Sequence, residues 1–247
     1  VFLICKEDYI FVSSLKEGHH MPKIYRLSRT GTRILYKVRH HKGHGIHSPF
    51  VFNFITKVIE EKSPYYAYND IREFILSQPD ITFNENKFER LLFKCVNYFN
   101  AKKILELGAG SGINTLYLTV ASKQCICTSV ETDLNKKEAI DRLYNKWGYN
   151  IRLSHEKFPQ VDKPLDCILL NLRNYEADHT ILIEYLLSLI NENSFIIVDG
   201  IRTNRKHQML WKRLIGCNEV RVSMDLFHVG ILFFNPKYYK RNFKLSY

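Results

Sequence analysis

Ile104-Leu105-Glu106-Leu107-Gly108-Ala109-Gly110-Ser111-Gly112-Ile113-Asn114 decides how this chain is read. Its first residues form a short apolar run of the kind a strand buried on both faces carries. Three glycines follow, where the backbone can take conformations, and allow an approach, that a Cβ would block. A helical pattern from Thr115 to Ala121 comes next, so a strand empties through a turn into a helix. The spacing is Gly-x-Gly-x-Gly, whereas a dinucleotide fold wants Gly-x-Gly-x-x-Gly beneath a pyrophosphate. Glu106, two residues before the first glycine, would repel a pyrophosphate and attract a ligand carrying ammonium and sulfonium charges. Nineteen residues beyond Gly112 the next apolar run ends Ser129-Val130-Glu131-Thr132-Asp133. Glu131 thus stands where a carboxylate accepts both hydroxyls of a ribose.

The rhythm around this stretch fixes the fold class. Short apolar runs occur at Ile104 to Leu107, Ile126 to Val130, Ile151 to Leu153, Cys167 to Leu170, Phe195 to Val198, Val220 to Met224 and Val229 to Phe234. Helix-length spacers lie between them, notably Leu134 to Trp147, Ala177 to Ile190 and Asn204 to Ile215. Alternation of this sort predicts an α/β Rossmann-like, doubly wound sheet of seven strands. About four residues separate the last two runs, too few for a helical crossover, so the seventh strand is expected antiparallel.

Upstream, Phe88, Leu91, Leu92, Cys95, Val96 and Phe99 share one helical stripe and predict a core-facing helix. Ser48-Pro49 reads as the N-cap and first position of another, running through Val51, Phe54, Ile55 and Val58. Three parts are expected: residues 1–20 as an upstream or non-native extension, 21–86 as an N-terminal helical lid segment, and 87–247 as the Rossmann-like domain.

With 247 residues, 45% hydrophobic and 25% charged, the chain is globular and large enough to bury a core without staples. Six cysteines (Cys5, Cys95, Cys125, Cys127, Cys167, Cys217) form no C-x-x-C pair and mostly sit in apolar runs, as reduced thiols of a cytoplasmic protein do. No apolar stretch approaches the roughly 20 residues of a membrane span. The net charge of +11 favours an anionic contact. Seven basic residues and four histidines, with no acid, fall between Met21 and His47. A solvated helix face and a surface for phosphates both fit that segment. The histidines lie in a glycine-flanked loop without carboxylates or cysteines, so no metal site is expected there.

The residues from about Phe88 onward resemble the class I S-adenosylmethionine-dependent methyltransferases, whose seven-strand sheet ends in an antiparallel hairpin. The likeness is nearest to small-molecule O-methyltransferases of the catechol type and to an uncharacterised bacterial branch of them. His44-Gly45-Ile46-His47-Ser48-Pro49-Phe50-Val51-Phe52, Arg90-Leu91-Leu92-Phe93, Asp225-Leu226-Phe227 and Gly230-Ile231-Leu232-Phe233-Phe234 look like that branch's recurrent segments. The resemblance implies S-adenosyl-L-methionine as cofactor, with Glu106, Gly108, Gly110 and Gly112 around its methionine part, Glu131 at the ribose, and the Ser154-His155-Glu156 turn at the adenine. Ser111, Thr132 and Asn171 complete the expected contacts.

Catechol-type enzymes hold a divalent metal with an Asp after the fourth strand and an Asp-Asn or Asp-Asp pair after the fifth. Here those positions read Asn171 and Asp199-Gly200, with Arg202 close by. One carboxylate and a neighbouring cation suit a hard metal ion poorly, so none is expected. Asp199 becomes the candidate base or substrate-orienting group, with capping of the next helix as its structural alternative. His155 and His179 are further candidate bases, and His47 could line the substrate entrance. The expected activity is methyl transfer to a small-molecule acceptor, with the N-terminal helices as a lid and a homodimer left open. Two alternatives stand beside it: an RNA methyltransferase using Lys23 to Lys42, and a catalytically degenerate cofactor-binding module.

Overall fold

In the computed structural model the described residues are 48–78, 85–245 and 247. The segments read as an extension and as a basic stretch, with His47, lie outside them. Eight strands form one sheet: β1 Lys103–Leu107, β2 Ile126–Val130, β3 Asn150–Ser154, β4 Cys167–Asn171, β5 Phe195–Asp199, β6 Val222–Asp225, β7 Val229–Phe233 and β8 Arg241–Lys244. Their order is β3-β2-β1-β4-β5-β7-β6-β8. Strands β1 to β5 pair in parallel, and β7 lies antiparallel between β5 and β6, as the short connection requires.

The expected seven strands are therefore one too few. β8 pairs in parallel with β6, in register Val222↔Arg241 to Asp225↔Lys244. Only Phe243 is buried in this Arg-Asn-Phe-Lys strand, so it carries none of the apolar signal that marks a central strand.

Helices cover both faces. One face carries α1 Pro49–Phe54, which continues as a π turn over Ile55–Ile59, with α2 Tyr66–Leu76, α3 Lys87–Phe99, α4 Ile113–Thr119 and α5 Lys137–Trp147. The other carries α6 His179–Ser188 and α7 Arg205–Gly216. Local chemistry sets their starts. Ser48 caps α1, its Oγ accepting from the Val51 N–H, and Pro49 follows at the first position. Asn86 and Glu89 form a reciprocal capping box on α3. Leu91, Leu92, Cys95 and Val96 of α3 are buried as the stripe predicts.

Of the segment 21–86 expected as a helical lid, residues 48–78 are seen packed on the core. Val51, Phe54, Val58, Ile71 and Ile75 are almost wholly buried in the main core, and Phe54 packs edge-on against Phe233 of β7 and stacks on Phe99 of α3. The buried residues form one face of each helix, Val51, Phe54, Ile55 and Val58 on the first and Tyr68, Ile71 and Ile75 on the second, and both faces join the main core. The four cysteines 95, 125, 127 and 167 are buried free thiols, and no described helix is long and apolar enough to cross a membrane.

Sheet order reverses between β1 and β4, where the chain passes from one side of β1 to the other. Ligands of open α/β sheets bind outside the strand C-termini at such a point.

Candidate active site

The C-terminal ends of β1, β2 and β3 are level, with Leu107 opposite Val130 and Val130 opposite Ser154. The chain leaves β1 through Gly108, Gly110 and Gly112, at φ +92°, +65° and +79°. Residues with a Cβ rarely adopt these angles, so the turn depends on its glycines. Gly108 and Ala109 donate their N–H groups to the Val130 carbonyl at 3.0 and 2.9 Å. Gly110 N–H donates to Glu131 Oε2 at 2.8 Å, and Asp133 N–H donates to Oε1 at 2.9 Å. Glu131 is 1% exposed, with Lys136 Nζ 3.7 Å from Oε2. Two amides and an ammonium thus hold this buried carboxylate against the turn. His155 joins the group, its Nδ1 2.7 Å from the Glu131 carbonyl oxygen, and Thr132 is exposed beside it.

What approaches the glycines is partly the chain itself. A Cβ on Gly108 would stand 2.9 Å from the Asn171 carbonyl oxygen, and one on Gly110 would meet the Asn174 amide. On Gly112 it would stand 3.0 Å from the Tyr144 ring. The loop after β4 therefore lies across the turn, a contact the sequence reading assigned to ligand alone.

Glu106 lies deeper. The expectation set it against the methionine part, yet its side chain is fully buried beneath the turn. Its Oε2 accepts from Thr115 Oγ1 and, at 2.9 Å, from Ser129 Oγ. Tyr144 OH closes the cluster, 2.6 Å from Thr115 Oγ1 and 2.9 Å from Ser129 Oγ. Oε1 is buried without a hydrogen-bond partner. Burial pushes the Glu106 carboxyl up to about 7, against the two hydroxyl bonds that lower it.

Beside the turn opens a cavity of about 570 Å³, within the usual range for small-molecule sites. Ser111, Asn171 and Asp199 line it, as do Phe88, Arg173, Asn174, His228 and Tyr247. Asn171 and Asp199 sit opposite each other at the ends of β4 and β5. Asp199 Oδ2 accepts from Arg173 Nε at 2.7 Å. Arg202, expected beside Asp199, turns away: its two Nη atoms each lie 2.6 Å from an oxygen of Asp225, and Nη1 also donates to the Phe227 carbonyl at 2.7 Å. Asn204 caps α7 by accepting from His207 N–H at 2.8 Å, so Asp199 has no capping duty. Neither His155 nor His179 lines the cavity.

Among the described residues no group of three or more His, Cys, Asp and Glu is arranged to hold a metal. The donor set agrees, since the lone carboxylate at the two strand ends is already paired with a guanidinium. Sequence reasoning missed Arg173 and His228. Arg173 follows Asn171 by two residues, and His228 sits in the β6–β7 turn, where Phe227 takes φ +75°.

No protein-family model and no curated protein matches the sequence. Solved structures match the fold. A proposed caffeoyl-CoA O-methyltransferase of Staphylococcus aureus superposes with TM-score 0.55 at 16% identity, covering 75% of this chain and 98% of that one. An O-methyltransferase of Bacillus cereus, in complex with S-adenosylhomocysteine, gives 0.51 at 14%, over 74% and 97%. The Podospora anserina methyltransferase PaMTH1, also bound to S-adenosylhomocysteine, gives 0.52 at 13%, over 77% and 97%. The chain has the class I S-adenosylmethionine-dependent methyltransferase fold.

Proposed function

We propose that the protein is an S-adenosylmethionine-dependent methyltransferase acting on an oxygen of a small molecule. The observation that carries this reading is the hydrogen bond from Gly110 N–H to the buried Glu131 carboxylate. Gly110 lies between Ala109 and Ser111, which both line the cavity ending at Asp199. A carboxylate preset by backbone amides beside a glycine turn fits a ribose. On this reading the turn and Ser111 hold the methionine end, Glu131 and Thr132 the ribose, His155 the adenine, and Asn171 the face between cofactor and acceptor. Glu106 acts from beneath, through Thr115.

The bound cofactor supplies an electrophilic methyl group on a sulfonium. The chain has then to align the acceptor, exclude water and remove a proton. Asp199 suits the removal of the proton, because Arg173 fixes its Oδ2 while Oδ1 takes no bond from the described residues.

Incubation of the full chain with methyl-labelled S-adenosylmethionine, a panel of small hydroxylated acceptors and total RNA tests the reading. Label is expected in a small acceptor. Label in RNA alone would replace it with the reading based on Lys23 to Lys42. Cofactor binding with no transfer to either would leave a non-catalytic module, the reading that the Asn171, Gly200 and Arg202 departures motivate.

A further inference from the structure

Two arginines stand near the strand ends, and they are used differently. Arg202 is 21% exposed in its side chain and donates to both Asp225 oxygens and the Phe227 carbonyl, so it is built into the β6–β7 turn. Arg173 uses a single side-chain donor, Nε, on Asp199. Its two Nη atoms have no hydrogen-bond or ion-pair partner among the described residues, its side chain is 45% exposed, and it lines the cavity. A guanidinium carries five N–H donors in a rigid fork, so most of its capacity remains.

Asp199 makes that capacity directional. Its side chain is 9% exposed and anchored at the end of β5, so the Nε bond fixes the plane of the fork while the Nη end stays available. The other carboxylate on the cavity wall does not compete. Glu89 accepts from the Asn86 N–H at 3.0 Å and from Asn86 Nδ2 at 2.9 Å within the α3 cap. Lys87, beside it, adds a second cation whose ammonium lies 5.8 Å from the Tyr247 ring centroid.

We infer that Arg173, oriented by Asp199, binds an oxyanion of the methyl acceptor, so that the acceptor is a small hydroxylated compound bearing a carboxylate or a phosphate. The inference rests on the reading of this cavity as the acceptor site. Both groups match the fork's two parallel donors.

The test titrates benzoate, phenyl phosphate and the neutral benzamide into wild type, Arg173→Met and Arg173→Lys, each with and without S-adenosylhomocysteine, followed by ligand-observed NMR. At least one anion is expected to bind wild type about tenfold more tightly than benzamide, the order for charge-assisted hydrogen bonds at a partly exposed site. The preference should vanish in Arg173→Met. Arg173→Lys, which keeps the charge on Asp199 but lacks the fork, should lose most of it, and this variant decides the matter should the methionine variant not fold. Equal binding of anions and benzamide, or a preference that survives both substitutions, overturns the inference. Affinity for S-adenosylhomocysteine in the same samples reports separately on the cofactor reading, and the arms without it read the anion site alone.

Discussion

Glu131 and Glu106 are both buried acids at strand ends, and their surroundings give them different work. Glu131 meets two backbone amides and a lysine, so its carboxylate is held ready beside Gly110. Glu106 meets hydroxyls alone, and one oxygen is left orphaned. Burying such a charge is costly, which is why its carboxyl rises from 4.5 to about 7. The fold therefore favours protonated Glu106. Its contribution to stability is complete below about pH 4.5 and is lost as pH rises through about 7, an effect on the order of 3 kcal/mol. In urea unfolding from about pH 5 to about pH 8, wild type should lose stability relative to Glu106→Gln by that order. Parallel curves for the two proteins would contradict the assignment. The sequence made both acids conspicuous but could not separate their roles, since only the fold brings Thr115, Ser129 and Tyr144 onto one of them.

At the scale of elements, the strands with continuous apolar runs were legible because they are buried on both faces. β4, β5 and β7 are buried at every position. β8 was not legible, because an edge strand solvated along most of its length has no apolar pattern to read. Helix α2 escaped for a related reason: its buried residues Tyr68, Ile71 and Ile75 are spread among polar ones, and its N-cap, Tyr65, makes no side-chain capping bond. Packing between elements is equally hidden. Gly230 of β7 lies under the indole of Trp211 of α7, so closely that an added Cβ would overlap the ring. Gly230→Ala should therefore cost about 1–3 kcal/mol, the usual penalty for overpacking. A lowered urea midpoint at unchanged slope would show it, and an unaltered midpoint would mean that α7 yields freely.

For the whole molecule, the doubly wound sheet and its antiparallel β7 followed from alternation and connection length, whereas the strand order was not read from the sequence. Several of the expected site residues share one end of the sheet. Glu131, Ser111, Asn171 and Asp199 gather at the predicted end of the sheet because parallel strands deliver their C-termini to one edge. Arg173, His228 and Tyr247 come from loops and the C-terminal region, whose positions depend on packing that carries no local code. Residues 48–76 were legible as helical around Ser48-Pro49, but not as core, since burial of α1 depends on distant partners such as Phe233. The central claim for the molecule is that the glycine turn and Glu131 together form the cofactor's seat. Isothermal titration of S-adenosylhomocysteine into wild type and Glu131→Ala tests it most directly. The account predicts binding to wild type and a loss of about 1.5–3 kcal/mol in the variant, as removal of charge-assisted hydrogen bonds implies; no binding to wild type, or equal affinity in both, would contradict it.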